Sequence, residues 1–413
     1  MLTYTAVSSN MRGMRMPTAI IAAVSAFALA APLHARTIAV AAGDNAQSRL
    51  QEALITAQPG DAVQRAAGRF VLTDGLSLDV GNVTVRGAGM DATVLDFSGQ
   101  QGAGEGLLVT SDNVTMRDFA VENTHGDGIK SKGADNVVYY RIRVAWTGGP
   151  KETNGAYGIY PVQSTGVLID GCKVSGASDA GIYVGQSKAI TVRYNMVESS
   201  VAGIEIENSR DALVTGNLVT RNTGGILVFD LPNLPVMGGG NTLIENNLVV
   251  ANDTPNFAPK GNIVAGVPRG TGIMVMANDY VSVEGNSLVN NPTAQMLVVS
   301  YPKPFTDKTY NPDPRRIAIG RNRIVGGGDE PRIPGGDQLA GAFGGALPGI
   351  VWDGASKVWP FASLAGPALS LDGITTGGMH EAKPHMVQPK PSVVVKGLPK
   401  RGAPASLDVR ARP

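Results

Sequence analysis

From Asn113 onward, apolar and polar residues alternate in short runs separated by turn residues, and the alternation recurs every 22 to 23 residues, lengthened in places by insertions. Each unit reads as a first strand, a turn, a second strand of the form x-Gly-Ile-x-Val, and a polar turn. The second strands are DGIKS (127–131), YGIYP (157–161), AGIYV (180–184), AGIEI (202–206), GGILV (224–228) and TGIMV (271–275). NVTMRDFAV, NVVYYRIRV, GVLIDGCKV, AITVRYNMV, DALVTGNLV and NTLIENNLV precede them, and YVSVEGNSLV and RIAIGRNRIV continue the series. A period-2 pattern marks strands, and this spacing is too short for a βαβ unit. One unit cannot bury its own apolar face, whereas parallel stacking of successive units about 4.8 Å apart buries a continuous core. The pattern therefore predicts an all-β, right-handed, single-stranded parallel β-helix over residues 36–325.

Two columns set the register. A glycine before each inward isoleucine predicts a tight turn at the strand start. Phe119, Ile142, Cys172, Asn195, Asn217, Asn247, Asn286 and Asn322 stand two residues before the end of each first strand. The five asparagines predict a side-chain ladder in left-handed turns, a structural feature without catalytic weight. Coil ends need covers, because open ends expose unpaired strands. Residues 45–58, with Leu50, Ala53, Leu54 and Ala57 on one face, predict a helix capping the N-terminal end. Residues 326–376, rich in Gly and Pro, are expected to be a C-terminal cap or irregular segment, and 377–413 a flexible, partly disordered basic tail.

Composition adds limits. A formal net charge of +1 gives no global argument for nucleic acid. Arg12 and Arg15 precede an apolar run over 19–31 that ends in small residues, the form of a cleaved export signal (1–35), with Met11, Met14 and Met16 as alternative starts. This places the mature chain in the periplasm or outside the cell, with no membrane span after cleavage. Cys172 is the only cysteine, so no internal disulfide forms, and its column predicts buried packing.

Insertions at 148–154, 231–240, 253–269 and 301–314 flank the Gly-Ile strands and are expected to wall a groove over their sheet. Alternation turns the residue after each isoleucine outward: Lys130, Tyr160, Tyr183, Glu205, Leu227 and Met274. Two residues on stand Lys132, Val162, Gly185, Glu207, Phe229 and Met276, and the preceding turns add His125, Asp127, Tyr157 and Asp179. Tyrosine rings suit sugar faces, while carboxylates and lysine suit proton transfer. The catalytic candidates are Lys130, Tyr160, Asp179, Tyr183, Glu205 and Glu207; the substrate-binding candidates are His125, Asp127, Lys132, Tyr157 and Phe229. The competing reading is an ordinary solvated sheet face stabilised by cross-strand pairs. No His or Cys cluster or calcium-type loop is present, so neither metal nor cofactor is expected, although Asp127, Asp179, Glu205 and Glu207 could hold calcium if their spacing allowed.

The stretches LDVGNVTVRGAGMDATVLDFSG, WTGGPKETNGAYGIYPVQ, GASDAGIYVGQS, VAGIEIEN, TGGILVFDLPNLPV and TPNFAPKGNIVAGVPRGTG resemble an exported bacterial parallel β-helix repeat family. It lies in the right-handed β-helix superfamily, whose members include carbohydrate-active enzymes. The resemblance implies the fold but no single activity, and it suggests an exported c-type cytochrome as partner. The polygalacturonase-type, pectate-lyase-type and alginate-epimerase-type motifs are missing. Two functions are expected from these observations. One is binding, with lyase, epimerase or hydrolase processing, of a polysaccharide laid along the groove. In a lyase or epimerase, Lys130 or a tyrosine would take a proton; in a hydrolase, Asp179 with Glu205 or Glu207 would supply acid and base. The other is a non-catalytic periplasmic scaffold that binds a protein through an exposed apolar end made by Phe229, Leu231, Leu234, Pro235, Met274 and Met276.

Overall fold

Stacked isoleucines organise the molecule. In the computed structural model, Ile129, Ile159, Ile182, Ile204, Ile226 and Ile273 pair in register through parallel strands and continue to Met296 and Ile350. All are buried, and they form one continuous core with Val144, Val174, Val197, Val219 and Val249. The structure describes residues 35–102, 104–356, 358–373, 383–388, 399 and 402–412. The expected export signal, with His34, lies outside these residues except for Ala35, as does His380.

The chain is a right-handed parallel β-helix. The Gly-Ile strands build a 12-stranded sheet running from Leu76–Leu78 to His385–Val387, each strand paired with its counterpart one coil away. The last strand alone reverses, pairing antiparallel with Ala368–Ser370. The first strands form a 20-stranded set that bends around two faces, because Thr115–Glu122 and Val137–Ala145 continue across the corner. Helix α1 (Ala46–Thr56) covers the N-terminal end, burying Leu50, Ala53 and Leu54 as its spacing predicts. Beyond residue 326 the ladders continue through Ile350–Trp352, Phe361–Leu364 and Ala368–Ser370, joined by helix α2 (Gly336–Ala342). Within the basic tail, helix α3 (Ala405–Ala411) packs Leu407 and Ala411 against Val138 and Leu168.

The asparagine ladder forms, with Asn195, Asn217, Asn247, Asn286 and Asn322 linked amide to amide at 2.9–3.0 Å. Its backbone differs from expectation. The left-handed residues are those just before, among them Tyr194, Gly216, Asn246 and Gly285, which turn the chain so that each asparagine points inward. A second ladder, Asn222–Asn252–Asn291, fills the next corner. The glycine before each isoleucine also has another cause than a tight turn. A Cβ at Gly158 would overlap Val174 Cγ1 and the Gly181 carbonyl, and one at Gly203 would overlap Val219 Cγ1 and the Gly225 carbonyl. Close approach of the neighbouring coil excludes a side chain there. Cys172 is buried and free, its thiol pushed up to about 12 by burial.

Candidate functional site

Register places the predicted outward residues in one line. Lys130 pairs with Tyr160, Tyr183 with Glu205, Glu205 with Leu227, and Leu227 with Met274. The parallel column runs through Lys132, Val162, Gly185, Glu207, Phe229 and Met276. The two columns divide into a half-open end, a buried acidic centre and an apolar end.

At the half-open end, Lys130 Nζ lies 3.0 Å from Glu105 Oε1, 3.3 Å from Asp127 Oδ2 and 4.6 Å from the centre of the Tyr160 ring. Burial opposes its charge, but the Glu105 hydrogen bond and the nearby Asp127 outweigh it and hold the ammonium above its ordinary pKa. Burial in turn raises the Asp127 carboxyl, with Lys130 pulling it down. Tyr157, Tyr160 and Tyr183 form a triangle of rings with centroids 4.5–4.8 Å apart. Lys132 and His125 are exposed, and the His125 ring faces the Gly102 carbonyl.

The centre holds Asp179, Glu205 and Glu207, 4%, 1% and 6% exposed. The Tyr157 hydroxyl donates to Asp179 Oδ2 at 3.4 Å and the Asn262 amide donates to the same oxygen at 3.2 Å, while Oδ1 has no partner. Glu205 Oε1 is likewise buried without one. Burial first, then the neighbouring carboxylates, raise the pKa of both Asp179 and Glu205. Burial lifts Glu207 to about 7, with a Tyr183 hydrogen bond partly offsetting it. Burial lifts Asp230, at the end of the next strand, to about 6 despite donors from Gly239 and Asn278. Low polarity disfavours the charged carboxylate, so burial holds all four carboxyls above their usual range.

One sequence expectation requires correction. The groove is not an open, solvated face: Tyr183, Glu205, Glu207 and Phe229 are buried beneath the insertions. Residues 253–269 bring Asn262 onto Asp179, and 301–314 bring the Tyr310 hydroxyl to the Asp230 carbonyl at 2.7 Å. At the apolar end Phe229, Met274 and Met276 are buried, while Leu231 and Leu234 are half-buried and Pro235 is exposed. Lys130 is held charged, and burial raises the phenols of Tyr157, Tyr160 and Tyr183. Among the described residues, no group of three or more His, Cys, Asp or Glu is arranged to hold a metal ion.

Glu105, Asp230 and Asn262 escaped the sequence reading. Asp230 follows Phe229 directly and was within reach of an extended column, whereas Glu105 precedes the regular repeat. Asn262 sits in an insertion with no register. Past the carboxyls, Leu227, Phe229, Met274, Met276, Leu297 and Val351 floor a cavity of about 350 Å³.

With the geometry in place, the class is defined: residues 80–234 match the family model described as a right handed beta helix region, and the solenoid has that form. No curated protein matches the sequence. Among solved structures it is similar to the A-module of the mannuronan C-5 epimerase AlgE6 of Azotobacter vinelandii (18% identity, TM-score 0.46, 70% of this chain and 84% of that). An alginate lyase from Paenibacillus sp. str. FPU-7 gives 18% identity and a TM-score of 0.41, over 70% of this chain and 99% of that. The catalytic unit of a GH87 alpha-1,3-glucanase from Streptomyces thermodiastaticus strain HF3-3 gives 16% and 0.46, over 71% of this chain and 47% of that.

Proposed function

We propose that this protein is exported, and that it binds a polysaccharide at the half-open end around Lys130, Tyr157 and Tyr160 and cleaves it hydrolytically with the adjoining carboxyls. The observation that carries this reading is the buried row Asp179, Glu205 and Glu207, which adjoins a triangle of tyrosine rings and whose carboxyls burial holds above the usual carboxylate range. The half-buried rings of Tyr157 and Tyr160, packed at a tilt against each other and against Tyr183, offer apolar ring surface to a sugar, and Lys130, Asp127 and Lys132 border it with polar groups. A carboxyl that keeps its proton can give it to a glycosidic oxygen, and a neighbour that loses its proton near pH 7 can activate water. Hydrolysis suits a row of neighbouring carboxyls, because such a row can supply an acid and a base together. The acidic row also favours a neutral glycan over a polyuronide once any of its members ionises.

The test is incubation of the purified protein with neutral glucans and mannans and with polyuronides, following reducing ends and unsaturated products separately. Reducing ends from a neutral glycan are expected, reduced by about 100-fold or more in Glu207→Gln. Unsaturated products from a polyuronide, or neither binding nor turnover of any glycan, would reject the assignment.

A further inference from the structure

The cavity beyond the carboxyls is unlike the sugar-facing end. Its floor crosses four coils, from Leu227 through Met274 and Leu297 to Val351, a run of about 14 Å at strand spacing. Residues 263–268 and 332–334 wall it with apolar side chains such as Val264, Val267 and Ile333. A volume of about 350 Å³ falls among those of small-molecule sites. Two methionines on the floor give a polarisable, adaptable surface suited to flexible chains.

The charged lining has one sign available to a ligand. Asp353 is buried and accepts from the backbone amides of Ser300 at 2.6 Å and Ala355 at 3.1 Å, and burial raises its pKa. Lys303 is exposed, and among the described residues no ion pair engages it. Arg332 is half exposed and pairs with Glu330 at 3.0 Å, leaving most of its guanidinium donors free. An apolar slot with a lysine and an arginine on its solvent side matches one ligand chemistry.

We propose that this cavity binds a straight-chain amphiphile, its hydrocarbon lying along the Leu227–Val351 floor and its anionic head held by Lys303 and Arg332. The site is separate from the glycan reading and requires no turnover. Because a fatty carboxylate and an alkyl phosphate share this chemistry, the head group is a variable of the test.

The experiment titrates the full chain by calorimetry with saturated fatty carboxylates of increasing length, with alkyl phosphates and with the matching alcohols. Affinity is expected to rise about fourfold per methylene until the floor is spanned, then to level off. The charged series should bind about fivefold more tightly than the alcohols, and Lys303→Glu should remove that margin. Whichever charged series binds more tightly identifies the head group. Leu297→Trp should fill the slot and abolish binding. Should that variant fail to fold, Met276→Ala, which enlarges the slot, should move the plateau to longer chains. Absence of saturable binding, equal affinity for alcohols and anions, or a plateau unmoved by Met276→Ala would each overturn the proposal. Glycan assays on the same preparation read the other site, so either proposal can fail alone.

Discussion

Glu207 shows how one residue inherits its chemistry from its coil. Its sequence neighbours are Ile206 and Asn208, ordinary strand and turn residues, yet burial under the insertions moves its carboxyl from 4.5 to about 7. The consequence for stability has a definite sign. Below pH 4.5 the carboxyl is protonated in both folded and unfolded chains; between 4.5 and 7 the folded chain holds the extra proton. Stability contributed by that proton is therefore complete below 4.5 and is lost as the pH rises through 7, at about 1.4 kcal/mol per pH unit at most. Glu207→Gln should remove this component, so that denaturant unfolding at pH 5 and pH 8 differs less in the variant than in the parent chain, by about 2–3 kcal/mol. An unchanged pH dependence would mean that Glu207 is ionised in the folded protein. That the residue lies on the line was readable from alternation; that burial raises its carboxyl was not, because its solvation is set by segments outside its own strand.

At the scale of elements, the asparagine ladder does for the corners what isoleucine stacking does for the core. Asn217 receives the Asn195 amide and donates to Asn247 Oδ1 and the Val192 carbonyl, all inside the solenoid. Asn217→Ala would strip partners from buried groups on both sides and should cost about 2–4 kcal/mol in urea unfolding. Asn322→Ala, at the partly solvated end of the ladder, should cost less than half as much, since water can replace the lost bonds. Equal losses would show that the ladder does not depend on burial. The column of asparagines stood out in the sequence because five successive coils, from Asn195 to Asn322, repeat it. The left-handed residue one place earlier did not, since Tyr194, Gly216 and Asn246 share no side-chain type.

Across the whole molecule, the C-terminal segment returns to the N-terminal half of the solenoid. Asp408 pairs with Arg193 at 2.5 Å, Arg410 donates to Thr115, and Leu407 is buried against Val138 and Leu168. Removal of residues 402–413 should lower stability by about 2–3 kcal/mol, most of it from burying Leu407, while leaving the far-ultraviolet circular dichroism of the solenoid intact. A truncated chain as stable as the parent would make this helix a passive attachment. Nothing periodic announces the contact, as α3 lies far along the chain from the strands it covers.

What the sequence alone determined is whatever repeats. Apolar alternation, the Gly-Ile motif and the asparagine column recur from coil to coil, and parallel stacking converts an equal sequence position into an equal place in space. The order Lys130, Tyr160, Tyr183, Glu205 along one face follows from that. Only the tertiary structure decided what the insertions do. Having no period, they carry no register, and their folding over the sheet set the burial of Asp179, Glu205 and Glu207, the upward shift that burial gives their carboxyls, and the apolar cavity beside them.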